Sequence, residues 1–420
     1  MRVCIHRGSH EIGGNCVEIE SQRQRLVLDV GLPLGAPREE ATLPAVAGFL
    51  EPDPSLLGVI ISHVHLDHFG LLTRVRPEVP RLVGTGGRKI LEAAALFTGT
   101  HVDFSHAMEL KDRRPLTMGP FRVTPFLMDH SAYDAYAIMV EADGHRLFYS
   151  GDFRGHGRKA VLFERLLAMP PQAIDVLLME GSTLGRTGID DQYPTEDELE
   201  SQLVVHFRAI EGVALVCCSG QNIDRLVTVY RAALRSGRQF IADMYTACVL
   251  RAPGQASLPQ PGHDNFRVFT PASQRRAIKR AKQFEVVAPF RNCPGCRIYS
   301  EHLAKQAARS VMLFRASMIS DLEEAECLHG ASLIWSLWSG YLKDESSRPL
   351  LEWLERRGIP LTHCHTSGHA PAADLKRLVD ALTPKVVVPI HCNEPARFAD
   401  LFDHVAMKCD GQWWDVGHES

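Results

Sequence analysis

The sequence predicts an α/β protein in which one domain is interrupted by a second one. Strand patterns dominate residues 1–185, and strands alternate with helices from about 190 to 345. After about residue 345, helical patterns come first and an apolar strand follows them. Alternation of strands with helical patterns is typical of a parallel sheet covered by helices. We therefore predict a discontinuous domain formed by residues 1–190 and 346–420, with an inserted domain at 191–345.

The elements are predicted from hydrophobic periodicity and turn signals. In the discontinuous domain the predicted strands are 15–20, 25–30, 58–62, 121–126, 136–141, 145–149, 175–180 and 385–390, and the predicted helices are 87–98, 348–357 and 374–382. In the insert, Thr195 and Glu198 form a capping-box pattern that starts a helix. The remaining elements of the insert are the strands 213–218, 239–242, 311–316 and 332–338 and the helices 222–235 and 272–284.

Composition excludes several classes of protein. The 420 residues are 45% hydrophobic and 23% charged, as in ordinary globular proteins, and no stretch of about 18 apolar residues predicts a membrane helix. The N-terminus lacks the apolar core of a signal peptide, so we expect a cytoplasmic protein. In that compartment the 11 scattered cysteines are expected to be free thiols, Cys217 and Cys218 among them. The pair Cys293 and Cys296 shows no partners for a zinc or redox role.

The densest cluster of metal-binding residue types is His63-Val-His65-Leu-Asp67-His68, directly after a predicted strand. In extended chain, residues two apart point the same way, so His63 and His65 can bind one metal ion. The turn that must follow presents Asp67 and His68 to a second ion. Imidazole suits zinc, and carboxylates help to hold the second cation. A histidine-rich loop without metal is the alternative, and the density of ligand-type residues opposes it.

Three further ligand-type residues, His130, Asp152 and His391, follow other apolar strands, where open sheets place their sites. Taken alone, His130 or His391 is an ordinary surface or core histidine, and only the shared position at strand ends makes them candidates. We assign the ligands to two groups: His63, His65 and His130 at the first ion, and Asp67, His68 and His391 at the second, with Asp152 bridging both.

Charge indicates the class of substrate. Two zinc ions bring more positive charge than Asp67, Asp152 and a bridging hydroxide remove, and the remaining charge of about +1 favours an anionic group such as a phosphodiester. Metal coordination also lowers the pKa of bound water to about 7, which provides a nucleophile at neutral pH. Asp29 also ends a predicted strand. It either orients a ligand histidine or is an ordinary turn aspartate, and both interpretations stay open.

The motif HVHLDH at 63–68, with the later His130, Asp152 and His391, resembles the metallo-β-lactamase superfamily. That resemblance implies an αββα sandwich with two metal ions at its edge. Members of the superfamily hydrolyse lactams, thioesters, lactones and phosphodiesters, so the fold alone names no substrate. Zinc is the metal we expect, and the same ligands accept manganese or iron.

A narrower resemblance follows from the long stretch between Asp152 and His391, which exceeds the needs of a small-molecule hydrolase. Residues 179–185 resemble motif A of the β-CASP nucleases, with Glu180 as its acid. Residues 365–370 resemble motif B, with His369 as its histidine, and residues 388–391 resemble motif C. Together with segments 8–15 and 28–31, these motifs are similar to the family of ribonuclease J and the pre-mRNA 3′-end endonucleases. The resemblance implies that the insert is an α/β β-CASP cap.

The resemblance also implies roles for these residues. His369 contacts the scissile phosphate or protonates the leaving oxygen, and the nearby charge of Glu180 holds it and raises its pKa. Asp67 is expected to serve catalysis as well as metal binding. Hydrogen-bond donors to an adjacent phosphate are expected from His365, Ser367 and Gly368. A structural histidine in a glycine-containing turn is the alternative for His369.

Other residues are candidates for contact with nucleic acid. The net charge of −4 is not that of a generic nucleic-acid binder, although a local basic cleft is enough. Five cations within 275–282 either bind phosphates or form a solvated helix face that spreads over more than one side. Trp413 and Trp414 either stack on bases or, as we expect, pack under the sandwich. Basic residues that follow Asp152 are expected to lie nearer the metal ions: Arg154, His156, Arg158 and Lys159.

The sequence thus predicts a zinc-dependent hydrolase that cleaves phosphodiesters in single-stranded RNA and has no membrane contact. A homo-oligomer is an open outcome, because the family's C-terminal dimerisation domain has no counterpart in the sequence up to Ser420. The alternatives are a small-molecule metallo-hydrolase such as a lactonase or phosphodiesterase, a DNA nuclease, and a binding subunit without activity. All seven ligand positions are filled, which opposes the last of these.

Overall fold

The structure is a computed structural model that describes residues 1–35, 37–186, 188 and 190–417. It divides into two compact units: the first is Met1–Leu91, His101–Tyr193 and Gly368–Ser420, and the second is Glu92–Thr100 and Pro194–Ser367. The predicted insert at 191–345 falls largely within the second unit, which continues to Ser367. The assignment of the two units to domains of a family stays a prediction.

The strands follow the chain from the first unit through the second and back. The first unit contributes β1 (Arg2–Arg7), β2 (Cys16–Ser21), β3 (Gln24–Leu28), β4 (Leu56–Ile60), β5 (Arg81–Gly84), β6 (Ala107–Leu110), β7 (Leu116–Met118), β8 (Phe121–Met128), β9 (Ala135–Ala142), β10 (His145–Tyr149) and β11 (Val176–Glu180). The second unit contributes β12 (Ala214–Cys217), β13 (Gln239–Asp243), β14 (Phe266–Phe269), β15 (Ser310–Leu313), β16 (Ser332–Trp335) and β17 (Leu361–His363). The last two strands return to the first unit: β18 (Val386–Ile390) and β19 (Trp413–Asp415).

The α-helices of the described residues lie between these strands. They are α1 (Leu66–Phe69), α2 (Thr85–Thr98), α3 (Ala160–Ala168), α4 (Glu196–Ala209), α5 (Ile223–Arg235), α6 (Met244–Arg251), α7 (Ala272–Ala281), α8 (Ala288–Arg291), α9 (Ser300–Gln306), α10 (Ile319–Glu324), α11 (Arg348–Arg357) and α12 (Ala372–Leu382). Among the described residues, none of these helices has the length and apolarity needed to span a bilayer.

The first unit contains two sheets with helices on their outer faces. Their strand orders are β19-β1-β2-β3-β4-β5-β6 and β18-β11-β10-β9-β8-β7. Buried side chains of both sheets, such as Leu28 and Ile138, form one apolar cluster between them. On the other faces, Phe163 of α3 and Leu375 of α12 pack on the second sheet, and Phe69 of α1 packs on the first. This layering confirms the predicted αββα sandwich.

Parallel pairing explains why the candidate ligands gather at strand ends. Strands β3, β4 and β5 are parallel neighbours in one sheet, and β10, β11 and β18 are parallel neighbours in the other. Carboxyl ends of parallel strands lie at the same edge of a sheet, where sites form. The residues that end or follow these strands are Asp29, His63, Asp152, Glu180 and His391.

The second unit is built on six parallel strands in the order β14-β13-β15-β12-β16-β17. Leu215, Ile241 and Met312 belong to its buried apolar cluster. The predicted capping box is confirmed, because Thr195 accepts a hydrogen bond from the amide of Glu198 and the carboxylate of Glu198 accepts one from the amide of Thr195. The parallel sheet with helical crossovers confirms the α/β class expected of the insert.

Two predictions for the second unit need correction. The basic helix predicted at 272–284 ends at Ala281, because Lys282 adopts a left-handed backbone with φ of 55°. Cys293 and Cys296 form a disulfide instead of remaining free thiols. The other nine cysteines are free, as predicted, including Cys217 and Cys218.

Candidate metal centre

The first ligand group joins His63, His65 and His130, whose nitrogen atoms lie within 4.8 Å of one another. His63 and His65 follow β4, and His130 follows β8. His63 and His130 are fully buried, whereas His65 is partly exposed. Nε2 of His130 lies 3.1 Å from Nδ1 of His65. The three imidazoles therefore converge on one point at the edge of the sandwich.

The second group joins Asp67, His68, Asp152 and His391, again with ligand atoms within 4.8 Å. Oδ2 of Asp152 lies 3.2 Å from Nε2 of His68 and 3.6 Å from Nε2 of His391. The same oxygen lies 3.6 Å from Nε2 of His63 in the first group. Asp152 thus lies between the two groups, where a bridging carboxylate is needed.

Unpaired buried atoms show that these residues fit divalent metal ions. Nε2 of His63, His68 and His391 and both carboxylate oxygens of Asp152 are buried and make no hydrogen bond to any described residue. A buried polar atom without a partner costs about 1–3 kcal/mol, so native proteins rarely leave several in one place. Here the unpaired atoms belong to the two ligand groups. Imidazole nitrogen with carboxylate oxygen is a donor set suited to zinc.

Electrostatics separate His68 from the three histidines of the first group. Burial lowers the pKa of His63 and His130 well below its ordinary value and lowers that of His65 to about 4, so these rings are neutral, as a metal ligand must be. Burial also opposes a charge on His68, but the negative charges of Asp152 and Asp29 outweigh it and raise the pKa of His68. The charge that favours a proton there also favours a metal cation.

Asp29 holds one ligand histidine directly. Its carboxylate accepts hydrogen bonds of 2.7 Å from the amide and hydroxyl of Ser62, from Nδ1 of His68 and from the hydroxyl of Tyr149. Because Nδ1 of His68 donates to Asp29, Nε2 is free to bind metal. Of the two interpretations that the sequence left open for Asp29, the contact with a ligand histidine is the one that the geometry supports.

The same hydrogen-bond network reaches a second ligand histidine. Asn15 donates from Nδ2 to the hydroxyl of Tyr149 at 3.1 Å, and its Oδ1 lies 2.9 Å from Nδ1 of His391. We assign a proton to Nδ1 of His391, since Oδ1 of Asn15 can only accept and Nε2 has no hydrogen-bond partner among the described residues. Ser62, Tyr149 and Asn15 have no site role predicted from the sequence, although Ser62 and Tyr149 lie at the ends of strands that supply ligands.

His369 and Glu180 form a pair beside the ligands, grouped with Asp152. Nδ1 of His369 donates to Oε2 of Glu180 at 2.9 Å, and Glu180 is fixed by the amide of Phe153 and the hydroxyl of Ser182. Burial opposes the charged form of His369, but Glu180 and Asp152 raise its pKa to about 9. The side chain of His369 is 27% exposed, whereas that of Glu180 is 2% exposed, so His369 is the accessible member of the pair.

The predicted phosphate donors fall in different units. Gly368 lies against Ser131 and His130 in the first unit, where a Cβ atom would come within 2.6 Å of the Ser131 hydroxyl. His365 and Ser367 belong to the second unit. There Nη1 of Arg225 donates to Nδ1 of His365 at 3.2 Å, and burial, with the charge of Arg225, lowers the pKa of His365 to about 3.

Two other candidates for substrate contact, Arg154 and Trp414, are not supported. Arg154 is fully buried and lies 3.5 Å from the carboxylate of Asp129, so it cannot reach a substrate as the sequence suggested. Trp413 and Trp414 belong to β19, which pairs with β1, and Trp414 packs against the core between the sheets. Packing under the sandwich, the expected alternative to base stacking, is therefore what the structure shows for Trp414.

Comparisons with known proteins agree with this geometry. Residues 25–190 match the beta-lactamase superfamily domain, and residues 361–407 match the Zn-dependent metallo-hydrolase RNA specificity domain. The chain is 25% identical to a Ribonuclease J of Mycobacterium tuberculosis over 57% of this chain, and the match spans only 44% of that relative. It is 21% identical to a Ribonuclease J of Mycolicibacterium smegmatis over 93% of this chain and 68% of the relative.

A solved structure shares the fold. A protein of unknown function from Enterococcus faecalis V583 has a TM-score of 0.79 and 20% sequence identity to this chain. The likeness covers 98% of this chain and 99% of that one. At this identity the comparison shows a common fold and says nothing about a common substrate.

Proposed function

Because the chain belongs to the metallo-β-lactamase superfamily, in its ribonuclease J-like branch, we propose that it is a metal-dependent ribonuclease acting on single-stranded RNA. One observation carries the proposal. The ligand atoms form two adjacent and mostly buried groups, and the partly exposed His369 lies beside them, held by Glu180. That arrangement suits an anionic ester whose leaving oxygen needs a proton.

The ligands would hold two divalent ions, for which zinc is our proposal: His63, His65 and His130 for one ion, Asp67, His68 and His391 for the other, and Asp152 between them. Bound ions of this kind provide a nucleophile at neutral pH and stabilise charge on a phosphodiester. Glu180 orients His369 through Nδ1. Nε2 is then the atom of His369 that would contact the phosphate or the leaving oxygen. A cytoplasmic location and a homo-oligomer stay predictions from the sequence.

Cleavage of a labelled RNA tests the proposal. The substrate is a single-stranded RNA with a 5′-monophosphate and a 3′ label, incubated with zinc or manganese beside a DNA strand of the same sequence. We expect metal-dependent cleavage of RNA that is absent from an Asp152→Ala variant, and the product ladder separates endonuclease from exonuclease action. A protein that holds two metal ions but leaves RNA intact while hydrolysing a lactone would refute the ribonuclease and support a small-molecule hydrolase.

Replacement of His369 tests its role in the reaction. We expect His369→Ala to lower kcat by about 10²–10⁴-fold, the usual contribution of a general acid or base, without loss of bound metal. His302→Ala, at an exposed histidine of α9, is the matched control and should keep full activity. Metal loss equal to the loss of activity would instead assign His369 to the metal centre.

A further inference from the structure

The outward face of α7 in the second unit is strongly basic. Gln274 and Ile278 face inward, so the helical period places Arg276, Lys279 and Arg280 on the opposite, exposed side. Lys282 follows at the end of the helix and is also exposed. We call these four residues the basic face. The fifth cation of the segment, Arg275, lies outside this face beside Asp321, so the five cations spread over more than one side, as the sequence predicts.

The cations of the basic face have no partners within the described part of the chain. Arg276, Lys279, Arg280 and Lys282 make neither an ion pair nor a side-chain hydrogen bond there, whereas the flanking Arg275 lies 3.4 Å from Asp321. Favourable contact with the helix dipole accounts for cations in the last turn but not for Arg276 in the middle of the helix. In a chain of net charge −4, such a local concentration of unpaired positive charge favours a polyanion.

An exposed aromatic ring adjoins the basic face. Phe284 follows Lys282 by two residues, and 53% of its surface is exposed to solvent. Single-stranded nucleic acids bind where cations track the phosphates and an aromatic ring stacks on a base. An exposed ring beside unpaired cations is the combination that such binding requires, and it favours a binding surface over a solvated helix face.

We propose that the basic face and Phe284 form a binding surface for single-stranded RNA in the second unit. This inference rests on the proposed ribonuclease function and adds a contact outside the metal centre. The cations neutralise phosphates without reading sequence, and Phe284 stacks on a base of any type.

The salt dependence of binding tests this surface. The RNA is a labelled single strand of about 20 nucleotides, and all proteins carry Asp152→Asn so that the strand stays intact. The logarithm of the association constant falls linearly with the logarithm of the salt concentration, and each lost phosphate contact makes this slope shallower by about 0.7. Arg276→Gln combined with Arg280→Gln should therefore make it shallower by about 1.4. The affinity should fall about tenfold at 0.15 M salt and converge with the parent at high salt.

Two further variants make the result specific. Lys343→Gln with Arg356→Gln removes the same charge from exposed residues that follow β16, toward the other edge of the sheet, and should leave the slope unchanged. Phe284→Ala should weaken binding at least about fivefold at every salt concentration, because stacking is not electrostatic. A slope equal to that of the control pair, or an unaltered affinity in Phe284→Ala, overturns the proposal.

Hydrolysis of bis(p-nitrophenyl) phosphate separates this inference from the proposed function. With Asp152 intact, the variants of the basic face should hydrolyse this small phosphodiester at the parental rate, since it is too short to reach beyond the metal centre. An inactive parent chain refutes the proposed phosphodiesterase chemistry. Parental hydrolysis with unchanged RNA binding refutes only the binding surface. Melting temperatures equal to the parent's show that the exposed substitutions leave the fold intact.

Discussion

The two ligand groups of the first unit differ in what holds their histidines. In the second group, both histidines are hydrogen-bonded through the ring nitrogen that faces away from the cluster, His68 to Asp29 and His391 to Asn15. Tyr149 joins Asp29 to Asn15, so one continuous network fixes both rings. The second group is therefore arranged for a metal ion before any ion binds.

The first group has weaker support. Nδ1 of His63 lies 3.1 Å from the hydroxyl of Ser62, which itself donates to Asp29. Nδ1 of His130 has no hydrogen-bond partner among the described residues. The two ligand groups are therefore unequally supported. We expect the second group to bind an ion more tightly and the first to lose its ion earlier when a chelator removes metal.

The largest expected effect comes from Asp152, the one ligand that lies between both groups. Asp152→Asn keeps the shape but removes the charge, so we expect both ions to be lost and kcat/KM for RNA to fall at least about a thousandfold. We expect His130→Ala to lose the ion of the first group and His391→Ala to lose the ion of the second group. Atomic emission measures the metal content of each variant. If Asp152→Asn kept one full equivalent of metal, Asp152 would belong to a single group.

Asp29→Asn should have the next largest effect and should act on the second group. Asparagine tolerates the left-handed backbone of this position, where φ is 60°, so the change tests the carboxylate instead of the turn. We expect metal affinity to fall about tenfold to a hundredfold, as is usual when a group that orients a ligand is altered. The titration is made in a His130→Ala background, where only the second group can bind.

A titration in a His391→Ala background supplies the control for Asp29→Asn. There only the first group can bind, and Asp29 reaches it only through Ser62, so a smaller loss of affinity is expected. If Asp29→Asn lowered metal affinity equally in the His130→Ala and His391→Ala backgrounds, Asp29 would support both groups alike.

The sequence predicts the ligands better than the network that holds them. His63, His65, Asp67 and His68 lie within six residues, so a local motif reveals them. The contact of Asn15 with Tyr149 joins residues 134 positions apart: Asn15 directly precedes β2 of one sheet, and Tyr149 ends β10 of the other. No periodicity or spacing encodes such a pair, because packing between sheets creates it.

Elements of the fold also differ in how well the sequence predicts them. Long alternating strands such as β8 and β9 were predicted within two residues of their ends. Among the four-residue strands, β12, β15 and β16 were predicted with displaced ends, whereas β5, β6 and β14 were not predicted. Short strands carry too few residues for a period of two to appear, and their pairing partners define them. The end of α7 was also misplaced, since nothing in the sequence shows that Lys282 adopts a left-handed backbone.

Tyr149→Phe should weaken the second group less than Asp29→Asn does. The change removes the hydroxyl that joins Asn15 to Asp29 but leaves three of the hydrogen bonds to the Asp29 carboxylate. It also leaves the buried amide of Asn15 without an acceptor, at a cost of about 1–3 kcal/mol in the free energy of unfolding. We expect metal affinity in the His130→Ala background to fall by up to about tenfold. An unchanged affinity with lowered stability would mean that Tyr149 supports the fold alone.

Ser62→Ala should have the smallest effect and should act on the first group. The hydroxyl is the hydrogen-bond partner of Nδ1 of His63, whereas His68 keeps its own bond to Asp29. In the His391→Ala background we expect a loss of metal affinity of less than about tenfold, and almost none in the His130→Ala background. The order of these two losses is the inverse of the order expected for Asp29→Asn. If Ser62→Ala weakened the second group more than the first, the two groups would share one support, and the order in which a chelator removes their ions would have no structural basis.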